Sequence, residues 1–275
     1  MSWGRRRVFA RESDLTGTAT IRTPPGYRPR AEAARRRSGR GSIARPRKEA
    51  DLEPWYRTAE LLLRPPFQMW FNWRYEGLER VVPEGPLIVV GNHLSYLDPF
   101  AHALFVIRAG RRPRFLAKQE LFDVPVVGTA LRGAGQIPVL RGTGDRSPLV
   151  DAASALVRGE IVVIYPEGTT ATTNADFSPG PGKTGAVRLS LMTGVPILPV
   201  ATWGGQYVWR RSGRQSLAFG RPIWLAAGEL LDVGGGVTGT PDGSRLRELT
   251  AGLMAELARG VDGLRRRYPA RWTPR

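Results

Sequence analysis

The chain has two histidines. One of them, His93, stands five positions before Asp98 in the stretch Val89-Val90-Gly91-Asn92-His93-Leu94-Ser95-Tyr96-Leu97-Asp98-Pro99-Phe100. Five positions are about 140° round an ideal helix, so the two side chains would not face each other on one. A tight loop can bring them together. A carboxylate on one imidazole nitrogen fixes the tautomer and leaves the other nitrogen as a base. Such a base could take a proton from a substrate hydroxyl. The competing reading of the same residues is a plain loop histidine beside an ordinary helix N-cap. Ser95 reads as a loop residue, and His102, outside this stretch, as structural.

Three other stretches carry candidate chemistry. Gly135-Gln136-Ile137-Pro138-Val139-Leu140-Arg141 puts an arginine at the end of an apolar run, where a guanidinium could hold a phosphate bidentately. Tyr165-Pro166-Glu167-Gly168-Thr169-Thr170 follows a strongly β-branched run, so Glu167 lies on the turn that leaves it. Gly182-Lys183-Thr184-Gly185 precedes a helical pattern, and a lysine with free backbone N–H groups at a helix start suits an anion. The glycine spacing of a Walker A loop is absent upstream, which disfavours nucleotide hydrolysis.

The elements that must position these residues alternate. Pro86 to Val90, Arg114 to Lys118, Gln136 to Leu140, Ile161 to Tyr165 and Ile197 to Thr202 read as strands, with a further strand over Tyr75 to Val81. Between them Pro99 to Ala109, Val126 to Arg132, Pro148 to Arg158 and Gly185 to Met192 read as helices, and Ser244 to Arg267 as a long amphipathic one. Asp98-Pro99 reads as N-cap and first helical residue. Tyr207–Arg210 and Gln215–Phe219 look like a hairpin. The two prolines of Val195-Pro196-Ile197-Leu198-Pro199-Val200 argue for a sheet edge or a strand start. The expected fold is α/β: a largely parallel sheet with helices on both faces. His93 and Glu167 then fall at the carboxyl ends of strands, where open α/β sheets place their sites.

Charge divides the chain. Residues 1–50 hold fourteen Arg/Lys against four Asp/Glu, residues 264–275 hold five Arg and no acid, and the remaining body has a net charge of only +2. Basic tails suit an anionic surface, phospholipid or nucleic acid, or are simply solvated. The near-neutral body disfavours nucleic acid as a partner. Seven of the 24 aromatic residues fall between Trp55 and Tyr75. That segment, broken at Pro65-Pro66, fits short helices lying in a lipid interface, or a helical hairpin packed on the domain. The expected organisation is a disordered basic tail (1–50), amphipathic interfacial helices (51–75), a catalytic domain (76–265) and a basic tail (266–275). No apolar run is long enough to span a bilayer, and no secretory signal is expected. There is no cysteine, which excludes thiolate chemistry and cysteine-ligated metal; with two histidines, no metal site is expected.

In order, these blocks resemble the glycerolipid acyltransferase family, which includes the 1-acylglycerol-3-phosphate acyltransferases. The H-x4-D block matches at Asn92-His93 through Asp98-Pro99, the G-x-I-P-V-x-R block at Gly135 to Arg141, the P-E-G-T block at Pro166 to Thr169, and the V-P-I-x-P-V block at Val195 to Val200. The resemblance covers roughly residues 70–225. It implies transfer of a fatty acyl group from acyl-CoA or acyl carrier protein, as co-substrate and with no other cofactor, to the free hydroxyl of 1-acyl-sn-glycerol 3-phosphate. It implies work at the cytoplasmic face of a membrane by a peripheral or monotopic protein. In this reading His93 is the base oriented by Asp98, Arg141 contacts the acceptor phosphate, and Glu167 with Gly168 binds the glycerol part beside Thr169. One departure stands out: where the third block commonly has arginine, this chain has Thr170. Either Lys183 takes over that phosphate contact, or the acceptor is different, such as glycerol 3-phosphate or another lyso-lipid. A non-catalytic basic protein that binds membrane or nucleic acid is the reading from another class.

Overall fold

In the computed structural model the described residues are 65, 68–140, 147–169, 177–209, 216–233 and 242–273. These residues form one seven-stranded sheet and a set of α-helices. The strands are β1 (Asn72–Glu76), β2 (Leu87–Gly91), β3 (Pro113–Lys118), β4 (Ile137–Val139), β5 (Ile161–Ile164), β6 (Ile197–Trp203) and β7 (Pro222–Ala227). The helices are α1 (Asp98–Arg108), α2 (Gln119–Phe122), α3 (Pro125–Gly133), α4 (Ser147–Val157), α5 (Gly185–Thr193) and α6 (Gly243–Arg267). The strand order is β1-β7-β6-β2-β5-β3-β4, and every pairing is parallel except β6 with β7.

Helices cover both faces, which is why the central strands are apolar without a break. Along β2, Leu87 and Val89 enter a core with Ala101, Phe105 and Val106 of α1. Ile88 and Val90 enter the opposite core, with Ala152 and Leu156 of α4, Leu189 of α5 and the Leu246–Leu264 stripe of α6. The register aligns Val90 with Ile164 of β5 and Gly91 with Val200 of β6. The chain therefore leaves β2 and β5 side by side at the carboxyl end of the sheet.

Several expectations change. The strand expected over Tyr75 to Val81 lies earlier, as β1, and Leu78–Arg80 is a 3-10 turn behind left-handed Gly77. Residues 72–75 thus belong to the sheet and not to the preceding aromatic segment, whose residues 51–64 lie outside the described residues. The strand holding Pro199 is interior, between β7 and β2. It is tolerated because Pro199 faces the run after β7 ends: Gly228 N donates to the Pro199 carbonyl, and Leu231 bridges to Ile197. The expected hairpin over 207–219 is absent among the described residues. Gly205–Tyr207 is a 3-10 turn, and Ser216 N donates to Val208 O. The strand that follows, β7, shows no sequence alternation, because it is buried on both faces. Residues 266–273 are not a free tail: α6 runs to Arg267, Tyr268 is buried, and the Arg221 guanidinium lies over the Trp272 ring. Residues 274–275 lie outside the described residues.

Candidate active site

The loop between β2 and α1 is built around one carboxylate. Asp98 Oδ2 accepts from Leu94 N at 2.5 Å and Ser95 N at 2.6 Å, and lies 3.3 Å from His93 Nδ1. Asp98 Oδ1 accepts from Ser95 Oγ at 2.8 Å. The side chain of Asp98 is only 1% exposed, and four donors are what a buried carboxylate requires. The N-cap of α1 is Leu97, so Asp98 is the first helical residue, and its side chain turns back into the loop instead of capping forward. Ser95 Oγ also accepts from Leu97 N, which makes this serine a brace of the loop.

Neighbouring elements close the frame. Asn92, fully buried, exchanges two hydrogen bonds with the Thr202 backbone of β6. Gly205 lies against the carboxylate from the far side: a Cβ there would stand 2.5 Å from Ser95 Oγ and 2.9 Å from Asp98 Oδ1. Only glycine fits. The Tyr165 ring stacks on His93 with centroids 4.4 Å apart. Its hydroxyl is 3.1 Å from His102 Nδ1, while His102 Nε2 is 3.0 Å from Val200 O. His102 Nδ1 also lies 2.9 Å from Asp98 O, so each ring nitrogen faces a backbone carbonyl, and a neutral ring donates to one of the two. Burial lowers the His102 pKa, which favours that neutral ring. His102 is structural, as its place in the sequence suggested.

Glu167 joins the second stretch to the first. Its Oε1 accepts from His93 N at 3.0 Å and its Oε2 from Gly180 N at 3.3 Å. Burial raises the Glu167 pKa, and these two N–H donors oppose that rise. Gly168 is left-handed (φ 70°), and the Lys183 side chain lies over it, with Nζ 2.9 Å from where a Cβ would be. Lys183 is exposed, just before α5, and its N–H donates to Pro166 O. Thr169 is exposed at the end of the turn. The fold thus brings His93, Asp98, Glu167, Gly168 and Lys183 into one linked unit. Arg141 and Thr170 lie outside the described residues. Three contributors were missed in the sequence: Ser95 as a brace, Tyr165 as a stacking partner and Gly205 as a close approach. The signals were thin, an aromatic before Pro-Glu-Gly and a Gly-Gly pair after a strand.

The description of a family model, "Acyltransferase", matches residues 72–203, which hold both halves of this unit. This span, just under half of the chain, is an acyltransferase domain, and the chain resembles the glycerolipid acyltransferases. Among acyltransferases it is similar to the chloroplastic 1-acyl-sn-glycerol-3-phosphate acyltransferase BAT2 of Brassica napus, 31% identical over 134 residues, 47% of this chain and 36% of the relative. It is also similar to the lysophospholipid acyltransferase LPEAT1 of Arabidopsis thaliana, 33% identical over 129 residues, 43% of this chain and 29% of the relative. These matches take in less than half of either relative's length. The crystal structure of the 1-acyl-sn-glycerophosphate acyltransferase PlsC from Thermotoga maritima superposes with a TM-score of 0.60 at 25% identity, covering 82% of this chain and 86% of that one. Among the described residues no cluster of three or more His, Asp or Glu side chains is placed to hold a metal, and no helix is long and apolar enough to cross a membrane.

Proposed function

We propose that this acyltransferase moves a fatty acyl group from acyl-CoA, or from acyl carrier protein, to the free hydroxyl of a lysophospholipid, with 1-acyl-sn-glycerol 3-phosphate as the foremost acceptor and phosphatidic acid as product. The observation that carries it is the contact between His93 Nδ1 and Asp98 Oδ2 inside a loop otherwise tied down by backbone donors. With its proton on Nδ1, His93 keeps Nε2 as the base. That nitrogen takes the hydroxyl proton as the oxygen attacks the thioester carbonyl. The tetrahedral intermediate collapses, the C–S bond breaks, and the imidazolium returns the proton to the leaving thiolate. Asp98 stabilises the imidazolium in between. A thioester is already activated, so the residues need no covalent acyl-enzyme. Glu167 holds the His93 backbone, and Lys183, over Gly168, supplies positive charge for the acceptor phosphate. Arg141, by its place in the sequence after β4, is proposed to share that phosphate.

Thr170 is the observation that favours a second acceptor, since the arginine commonly found there would bind phosphate. The test measures thiol release from acyl-CoA with lysophosphatidic acid, glycerol 3-phosphate and lysophosphatidylethanolamine, for the wild type and Thr170→Arg. Fastest release with lysophosphatidic acid, unchanged or improved by the arginine, supports the first acceptor. Preference for another acceptor, harmed by the arginine, selects the second reading. No acceptor-dependent release overturns both.

A further inference from the structure

Among the described residues Phe177 is the one non-glycine residue with a positive φ, 58°. A bulky side chain strains the backbone in that left-handed region and stays there only where its surroundings fix it. The Phe177 ring meets the Trp203 ring and the Tyr207 ring edge to face, with centroids 6.0 Å apart in each pair. Those two rings meet each other in the same way, also at 6.0 Å. Edge-to-face contact is a favoured geometry for aromatic pairs. Trp203 is buried at the end of β6, and Tyr207 lies in the 3-10 turn that follows. This short stretch also frames the His93 loop. The Thr202 backbone holds Asn92, and Gly205 lies against the Ser95 hydroxyl and the Asp98 carboxylate.

Phe177 stands three residues before Gly180, whose N–H donates to Glu167 Oε2 at 3.3 Å while His93 N holds Oε1 at 3.0 Å. Pro179 and Pro181 flank Gly180, and a proline fixes its own φ, so a displacement at Phe177 reaches Gly180 with little slack. Further on, Gly182 abuts α6, where an added Cβ would stand 2.7 Å from Met254 Sδ, and Lys183 N donates to Pro166 O. The segment is thus tied at its far end by α6 and Pro166, and at its near end by the Phe177 ring. We infer that Phe177 is a positioning residue of the acyl transfer: its ring, seated on Trp203 and Tyr207, keeps the Gly180 N–H on Glu167, and Glu167 in turn keeps the His93 backbone in place. The effect on rate rests on the acyl-transfer reading above. The coupling from Phe177 to Glu167 does not, and it has its own readout.

The test uses the full-length protein and two variants, Phe177→Gly and Phe177→Asn. Both residues accept a positive φ and both lack the ring, so they remove the contact without adding strain. Circular dichroism checks the fold. In acyl-CoA-dependent thiol release with lysophosphatidic acid, each should lower kcat by about tenfold or more and leave the KM for acyl-CoA within about twofold. The second arm is melting against pH and needs no turnover. The charged groups facing Glu167 are His93 and Asp98, and Lys183 lies over the adjacent Gly168; the substitutions leave all three in place. Burial already raises the Glu167 pKa, and loss of the Gly180 donor raises it further. The folded variants then hold this proton more tightly than the folded wild type. Their Tm gap from the wild type should be smallest in acid and widen by about one to two degrees as the pH rises over about pH 4 to 8. In a Glu167→Gln background the gap should not vary with pH. A kcat within twofold of the wild type in both variants overturns the inference, and so does a gap that stays constant with pH. If the wild type itself shows no acceptor-dependent thiol release, the proposed reaction fails, while a pH-dependent gap would still uphold the hold of Phe177 on Glu167.

Discussion

Asp98 Oδ2 serves three partners at once, and the least tightly bound of them is His93. The backbone donors therefore set the carboxylate's position, and the imidazole takes its orientation from it. Tyr165 supplies the second constraint, a ring face. A stack of this kind is worth about 0.5–1.5 kcal/mol, so its loss permits up to about a tenfold fall in kcat. Tyr165→Leu should show that fall with little change in KM. Tyr165→Phe should keep kcat but lose thermal stability, because buried His102 loses its contact with the hydroxyl. Equal kcat for all three proteins would remove Tyr165 from the positioning of His93. Glu167 makes a pH prediction. Its burial-raised pKa means that the folded chain holds this proton more tightly than the unfolded chain. The resulting contribution to stability is fully present below the unfolded pKa and is lost as the pH rises through the folded one. Melting curves of the wild type and Glu167→Gln over about pH 4 to 8 should show the wild type gaining on the variant toward acid. A constant gap would contradict it.

The elements were legible where burial is complete or periodicity is long. β2 and β5 are unbroken apolar runs, β6 is buried throughout, and α6 keeps its apolar stripe for 25 residues. β1 was not, because Trp73 and Tyr75 look the same whether they lie in a sheet or on a lipid interface, and β7 was missed although it is as buried as β2. Pro196 does precede the strand, but Pro199 misled because the sequence does not show that the neighbouring β7 ends before it. The His93–Asp98 pairing was legible as a spacing. The parts of its frame from Tyr165 and Gly205 were not, since they lie 72 and 112 positions from His93 and only the parallel register brings them near. The β3–β4 end of the sheet has its own anchor. Arg114 Nε bonds Glu160 Oε2 at 2.9 Å with both side chains 7% exposed, and Arg114 Nη1 donates to Ala134 O. Gln136 Oε1 accepts from Phe115 N, so the same cluster places the start of β4, the strand that leads toward Arg141. Breaking a buried pair of this kind costs about 3–5 kcal/mol. For Arg114→Ala the lower end is expected, because Arg158 still reaches Glu160 at 3.0 Å. Chemical denaturation measures it, and a loss well below about 1 kcal/mol would place the pair among surface salt bridges.

At the scale of the molecule, charge and chemistry are separated. The body is nearly neutral, and the basic charge lies toward the two ends of the sequence. Removing residues 1–50 should weaken binding to anionic vesicles, with the difference from the full chain shrinking as salt rises, and should leave turnover of a soluble acceptor unchanged. Salt-insensitive binding by both forms would contradict it. A deletion extended past residue 71 would test something else, because β1 pairs with β7 inside the sheet. The central claim is that His93 is the base of an acyl transfer. Its most direct test is the rate of acyl-CoA-dependent acylation of lysophosphatidic acid by full-length His93→Ala, with circular dichroism to confirm folding. A fall in kcat of about 10²–10⁴-fold is expected, in a protein that melts like the wild type. A folded variant that acylates at near wild-type rate would contradict it.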